Sequence, residues 1–535
     1  MCAINGFTFN DPSLLKQMMN YCKNRGPDWE DDYYDDSVSI GHNRLSILDT
    51  DNRSNQPFIY KNLVLSFNGE IYNYLNLKNE LEDKGYKFVT TSDTEVLIKL
   101  FYEYNIEAFK KLSGIFSISI WDKTDKTLYL IRDIVGVKPL YFKEKNGNLF
   151  FSTLIKPLLI DNQKFLNLEA TNYFFNFGYN DLSETFYKNI FKVLPGQLLI
   201  YKNKKIIKKK YLNFNFKKNL SEAAIREKII DIIKKQTVSD VPISISLSGG
   251  VDSNIILSNL NKNLNSYTIS YTYNNNKSID SIYAAQRAKE YKTNHFEIDV
   301  TEDDFFDSLE LISDLVEEPI GNQNIVGNYF LSKKVKEKVL FVGDGGDEIF
   351  TGYNKYKSIF LISLISNFNF FKNFRPNFNN RNLNRLFFLD SRQMHLSFSN
   401  QNLLNIKNYV SNYEKINFKD VSFNHFDSKY FDNNLENVMF ADIDTWVQND
   451  VLLRNDKIYM NRGVEVRVPF LDQEMIENFL FYSSFKKISF FSQTKPFLRK
   501  FFKDELKSIL KIKKGFDSPF NFWINNEKNL KKIKF

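Results

Sequence analysis

Sulfur and imidazole are scarce in this chain of 535 residues, which has two cysteines, Cys2 and Cys22, and four histidines. Two cysteines are too few for a disulfide scaffold and fit a reducing compartment. With no paired Cys or His spacing, a structural zinc site is not expected. Long apolar runs are missing too: the most apolar stretch, 359–365, is far shorter than the ~20 residues that span a bilayer. The opening MCAINGF lacks the basic region, apolar stretch and cleavage site of a secretory signal. A cytoplasmic protein without membrane insertion is therefore expected. Charge of one sign is weak: the formal net charge is +8, with basic and acidic residues interleaved almost throughout. The exception, the basic run 202–218, reads as a solvated hairpin or connector, so no nucleic-acid partner is expected.

What is present is a chain long enough for two large domains, since single cores stop growing at roughly 250 to 300 residues. Its composition, 43% hydrophobic and 25% charged, is that of a folded protein. Residues 1–201 show short apolar runs with period-two character at 38–40, 63–67, 115–121, 127–132 and 149–152. Helical spacing appears at 76–84 and 94–104. That pattern predicts an α+β domain built on antiparallel sheets. A connector over 202–220 follows. In 221–535 the texture changes to a helix at 221–236, a strand at 243–247 and a glycine turn leading into a helix from about Ser253. A strand at 266–271, a helix at 279–291 and a strand at 339–342 ending in a second glycine turn come next. Strand, turn and helix in alternation predict a doubly wound parallel sheet that binds ligands at the C-terminal ends of its strands. Helices joined by loops are expected over 355–437, the least readable part.

Two sets of residues carry chemistry. Removal of Met1 would leave Cys2 with a thiol and a free α-amino group, whose unperturbed pKa of about 7.7–8.0 suits it to activate its own nucleophile. Downstream, Arg44 can grip a carboxylate with its fork, Glu70 and Asp93 can hold an ammonium, and the Asn68 amide with the Gly69 N–H can stabilise an oxyanion. Taken singly, Arg44 reads equally as a surface ion-pair partner and Asn68-Gly69 as a hairpin turn. The second set is Ser248-Gly249-Gly250-Val251-Asp252-Ser253 at a strand-to-helix junction. It lacks the Gly-Lys-Ser ending of a Walker loop but forms a nest of N–H groups that favours a phosphate-bearing ligand. Gly343-Asp344-Gly345-Gly346-Asp347 lacks the spaced ligands of a calcium loop.

The strings around Arg25-Gly26-Pro27-Asp28, Arg44 to Asp49, Asn68 to Asn73 and Ser92 to Glu95 resemble the glutaminase domain of class II glutamine amidotransferases, which are N-terminal nucleophile hydrolases. SGGVDS, Gly343 to Phe350, Glu465-Val466-Arg467-Val468-Pro469-Phe470-Leu471-Asp472, Lys495 and Lys513-Lys514-Gly515-Phe516 resemble glutamine-hydrolysing asparagine synthetases. The resemblance implies stacked antiparallel sheets between helices, followed by an α/β ATP pyrophosphatase domain. It implies that Cys2 attacks glutamine, that Asn68 and Gly69 form the oxyanion hole, and that Arg44, Leu45, Ser46, Ile47, Leu48, Glu70 and Asp93 bind glutamine.

It further assigns ATP to Leu247, Ser248, Gly249, Gly250, Asp252, Ser253, Ile269, Val342 and Gly343, with Asp252 and Asp347 as Mg2+ ligands. Asp344 stands where the family often has a glutamate implicated in forming the aspartyl adenylate, and Val342 where it has a serine. Leu154 replaces a glutamate near the expected domain contact. Ammonia freed from glutamine would attack an acyl adenylate, giving the amide, AMP and pyrophosphate. The acceptor is aspartate or another carboxylate, such as a uronic acid of a surface polysaccharide. An inactive regulatory or scaffold homologue is the third reading, and the resemblance leaves room for a homodimer. Cys22 matches nothing in the family and reads as a buried thiol.

Overall fold

The computed structural model describes residues 2–160, 165–217, 220–260, 263–271, 277–366, 395, 434–489, 494–507, 519–520 and 523. Two six-stranded antiparallel sheets form the N-terminal domain. One runs, in spatial order, Phe191–Lys192, Tyr141–Lys145, Asn148–Ser152, Ala3–Phe7, Val38–Arg44 and Trp29–Asp35. The other runs Lys205–Lys210, Gln197–Lys202, Thr127–Arg132, Gly114–Asp122, Leu63–Ile71 and Phe58–Tyr60. Ile4, Ile40 and Phe151 of the first sheet close on Val64, Trp121 and Leu130 of the second in one buried layer. The outer face of the second sheet packs on the helices Tyr74–Asp83 and Asp93–Tyr104, and that of the first on the helix Pro12–Asn20. Helix, sheet, sheet, helix is the arrangement expected for this half.

Period two usually marks a strand with one wet face. In Gly114–Asp122 it does not: the strand is buried on both faces for most of its length, and its alternating serines, Ser117 and Ser119, are fully buried and hydrogen-bonded to Asn68 Nδ2 and the Ser66 carbonyl. The strand expected at 63–67 extends to Ile71, in register with the next strand as Asn68 opposite Ser117 and Gly69 opposite Phe116. Asn68-Gly69 is thus strand and not a hairpin turn. The basic run is an edge hairpin, Gln197–Lys202 with Lys205–Lys210, so the sheet takes in the first half of the segment set aside as a connector.

The C-terminal domain holds a five-stranded, all-parallel sheet in the order Asn294–Val300, Asn265–Tyr271, Ile243–Ser246, Val339–Phe341, Glu465–Arg467. The chain winds outward from Ile243–Ser246 on one side and then returns to its other side. A crevice for ligand therefore opens beyond the C-terminal ends of Ile243–Ser246 and Val339–Phe341, the switch point of the winding. Both glycine turns follow these two strands. Within 355–437, the parts lying in the helices Asn354–Ser366 and Asn434–Asp442 are helical as expected; the remainder of that segment apart from His395, like Lys513 to Phe516, lies outside the described residues. No helix among the described residues is long and apolar enough to cross a membrane.

Buried polar contacts lock the two domains together. Arg25 donates to both carboxylate oxygens of Asp456 at 2.6 and 3.1 Å, with each side chain 3% exposed. Glu317 accepts from the N–H groups of Ile155 and Lys156 at 3.1 and 2.7 Å, and Glu318 from that of Phe186 at 3.1 Å. Asp240 and the loop 47–49 exchange two hydrogen bonds. Beside Leu154, the carboxylate at this contact comes from the other domain.

Removing one member of a buried pair leaves an uncompensated charge, at a cost of about 3–5 kcal/mol. Arg25→Ala should lower the midpoint of denaturant unfolding accordingly, and the double variant Arg25→Met with Asp456→Leu should recover much of the loss.

Candidate active sites

Cys2 lies in the groove between the sheets, 7% exposed. Its N–H donates to Asn68 Oδ1 at 3.1 Å, and its Sγ is 4.0 Å from the Leu45 carbonyl. Burial pushes the thiol pKa up, opposed chiefly by the positive chain terminus and the Leu45 contact. Asn68 is aimed by its strand and by a 3.2 Å hydrogen bond from Nδ2 to Ser117 Oγ. Gly69 has φ +149°, and a Cβ there would sit 2.0 Å from the Ile115 carbonyl, so the strand can make its approach only with glycine.

Asp93 opens its helix behind the N-cap Ser92 and accepts from the Ile71 N–H at 2.9 Å. Burial pushes its carboxyl up to about 6. Glu70 is raised too, by burial first and then by Glu465 and Asp93, with Arg467 opposing. Cys2, Asn68, Gly69, Glu70 and Asp93 thus meet at one end of the sandwich.

Arg44 behaves differently from the sequence reading. Its Nη1 donates to the Asp51 carbonyl at 3.0 Å and Asn55 Oδ1 at 2.6 Å, and its Nη2 to the carbonyls of Leu48 and Asp49 at 3.2 and 2.5 Å. A guanidinium 4% exposed must be hydrogen-bonded, and here the chain itself does this, so Arg44 orders the loop that carries Leu45 to Leu48. Ser46 in that loop is fixed by Asp28, its N–H donating to Oδ2 at 2.7 Å.

The second centre is a cavity of 420 Å³ at the switch point. Leu247, Ser248, Gly250, Asp252, Ser253, Ile269, Val342, Gly343, Asp344 and Asp347 all line it. Gly249 does not, and its N–H donates to a carboxylate of the chain itself, Asp280 Oδ1, at 3.0 Å. Ser248 and Ser253 join hydroxyls at 3.0 Å, and Asn254 pins the turn from within the helix Val251–Asn259 by donating to the carbonyls of Ser248 and Gly250 at 2.9 and 2.6 Å. The Val342 N–H donates to the Arg467 carbonyl at 3.0 Å.

The Lys495 ammonium sits between two carboxylates, hydrogen-bonded to Asp252 Oδ2 and 2.6 Å from Asp347 Oδ1. Glycine makes this convergence possible, since a Cβ at Gly346 would lie 2.4 Å from Asp252 Oδ1. Asp344 Oδ2 accepts from Asn455 Nδ2 at 2.6 Å, and Asn455 Oδ1 accepts from Asn328 Nδ2 at 3.0 Å. Burial, with Asp347 alongside, lifts Glu348 to about 8. Asn328, Arg454, Asn455, Asp280 and Glu348 were not singled out as site residues from the sequence. Glu348 stood within a recognised string; the others belong to no glycine turn or short motif, and only the fold brings them to the cavity.

The two centres match two families in the order in which they occur. The glutamine amidotransferase domain family matches residues 1–212, and the asparagine synthase family matches residues 224–533. The chain belongs to the asparagine synthase family. It is 30% identical to "Asparagine synthetase [glutamine-hydrolyzing] 1" of Bacillus subtilis, over 98% of this chain and 86% of that protein. It is also 30% identical to "Putative asparagine synthetase [glutamine-hydrolyzing] 2" of Methanocaldococcus jannaschii, over 68% of this chain and 78% of that protein. "Amidase chry2" of Gibberella zeae is 26% identical over 66% of this chain and 58% of that protein. The family fixes a glutamine-dependent amidotransferase that uses ATP; the relatives' names include both asparagine synthetases and an amidase.

A protonated Asp93 cannot pair with an ammonium, so glutamine use should weaken as pH falls. With the carboxyl raised to about 6, kcat/KM for glutamine should decline below that pH, against a neutral-pH plateau, as the free enzyme's essential carboxylate takes up its proton. A profile flat down to pH 5 would remove Asp93 from glutamine binding.

Proposed function

We propose that this protein makes asparagine, taking ammonia from glutamine at Cys2 and transferring it to aspartate activated by ATP. The observation that carries the reading is the pairing of a cysteine pocket with a carboxylate-rich cavity in one locked two-domain body. A small gap between the domains adjoins the second of these. It is lined by Val137, Leu452, Met460, Val466 and Val468 together with Lys138, Asn455 and Asp456, and Asn455 also lines the larger cavity. Mostly apolar walls there suit neutral ammonia, which bulk water would protonate.

At the first centre the α-amino group of Cys2, free once Met1 is removed, takes the thiol proton as the sulfur attacks the glutamine carboxamide; the tetrahedral intermediate then breaks its C–N bond, releasing ammonia and leaving a thioester. Asn68 and Gly69 stabilise the oxyanion, Asp93 and Glu70 face the ammonium of glutamine, and water then releases glutamate from the thioester. At the second, the turn at Ser248 to Ser253 receives the phosphates, and Leu247 and Ile269 flank the nucleoside. The aspartate side-chain carboxylate displaces pyrophosphate from the α-phosphorus, forming an acyl adenylate beside Asp344. Ammonia then displaces AMP.

The residues fit Mg2+: Asp252 and Asp347 already converge on one cation, the Lys495 ammonium, and hard carboxylate oxygens are the donors that Mg2+ prefers. Among the described residues no three acidic, His or Cys side chains gather as a ligand set, so phosphate oxygens and water would complete the shell. When bound, Mg2+ offsets phosphate charge. Lys495 is placed to move from the two carboxylates to the phosphates.

Pyrophosphate release from ATP, Mg2+ and glutamine should require added aspartate; release that ignores aspartate would sink the asparagine assignment. Cys2→Ala should abolish glutamine-supported synthesis while ammonium salts still support it. Loss of both activities in a folded Cys2→Ala protein would contradict two separate centres.

A further inference from the structure

Arg454 is 5% exposed and lines the large cavity. Its Nη1 donates to Asp450 Oδ1 at 2.8 Å, one turn earlier, while its buried Nε–H has no hydrogen-bond partner. A buried guanidinium with a donor left unused is costly unless something completes it, and the cavity is where completion can come from. The next residue, Asn455, holds Asp344 at 2.6 Å and is itself braced by Asn328 at 3.0 Å. Adjacent positions on the helix Leu453–Met460 thus both line the cavity. Asn455 holds the Asp344 carboxylate, and the Arg454 guanidinium borders the same space with its Nε–H left unpaired among the described residues.

We propose that Arg454 anchors a second carboxylate of the acceptor, the one that is not amidated, so that the site selects dicarboxylates of the aspartate type over monocarboxylates. The inference rests on the aspartate reading and sharpens it. Aspartate reacts through its side-chain carboxylate and must bring its α-carboxylate into the cavity, where an unpaired anion would be strongly disfavoured. The planar fork of arginine matches a carboxylate in two parallel hydrogen bonds. A uronic acid has one carboxylate, which the reaction uses, and would leave the Nε–H unmatched.

The test uses ammonium-supported pyrophosphate release by the full-length protein with aspartate, with β-alanine, which is aspartate without its α-carboxylate, and with glucuronate. Wild type should use aspartate and reject the other two. Arg454→Gln should raise KM for aspartate on the order of 100-fold, as expected when a hydrogen bond to a charged group is lost. Discrimination against β-alanine should narrow, while glutamine hydrolysis at the other centre stays unchanged. Arg454→Lys, which keeps the charge and loses the fork, should fall between; it decides the matter if the glutamine variant loses glutaminase activity through misfolding. Aspartate use by wild type with an unaltered KM in these variants would overturn the anchor alone. So would wild-type use of β-alanine as good as that of aspartate. Wild-type pyrophosphate release with glucuronate and none with aspartate would overturn the acceptor assignment and the anchor with it.

Discussion

Arg467 is fully buried where the two domains meet, and much of the molecule is arranged around satisfying its charge. Its Nε donates to Glu465 Oε1 at 2.7 Å, its Nη1 to the carbonyls of Gln236 and Val238, and its Nη2 lies 3.8 Å from Glu70 Oε1. One guanidinium thus reaches the last strand of the parallel sheet, the end of that domain's first helix and Glu70 of the N-terminal domain. Isolated in a medium of low polarity such a group would be prohibitively unstable, and it persists because paired carboxylate and carbonyl oxygens surround it. The charge at the glutamine pocket is therefore set partly by the other domain. Burial raises the carboxyl of Glu70, Glu465 and Asp93 raise it further, and Arg467 pulls it back.

The same logic explains why the interface uses ions where apolar packing would hold as well. Replacing a buried ion pair with hydrophobic residues is often neutral for stability, so stability alone does not account for Arg25 with Asp456 or for Glu317 and Glu318 reaching the backbone at 155, 156 and 186. Such contacts are directional, and a small rotation of one domain would leave several buried charges unmatched at once. A reaction sequence that hands a small molecule from one centre to the other needs that fixed register.

Several features of this design were legible in the sequence because each is a local string with its own geometry. Two glycines before a helix, a glycine in a strand beside an asparagine, and an acidic residue behind a serine N-cap are readable without a fold. Asn68-Gly69 shows the limit, since the same two residues suit a hairpin turn, and only pairing with 114–122 makes them strand. Arg44 shows another. The residue type allows a substrate clamp, yet the demand of a buried guanidinium for oxygen is met by carbonyls four to seven positions along the chain, which no spacing rule exposes. Glu465–Arg467 is three residues long, too short for periodicity to declare it a strand. Arg454 sits in a helical segment whose pattern gives no reason to prefer it over its neighbours, and its unused donor exists only in three dimensions.

The gap between the domains carries the argument one step further. Lys138 on its wall is 1% exposed, and burial lowers its pKa, although Glu465 and Asp456 pull in the opposite direction. An ammonium group is thus disfavoured in this space even with two carboxylates close by. On the proposed reading, ammonia crossing this space would meet the same loss of hydration on taking up a proton, so mostly apolar walls would favour its neutral, nucleophilic form.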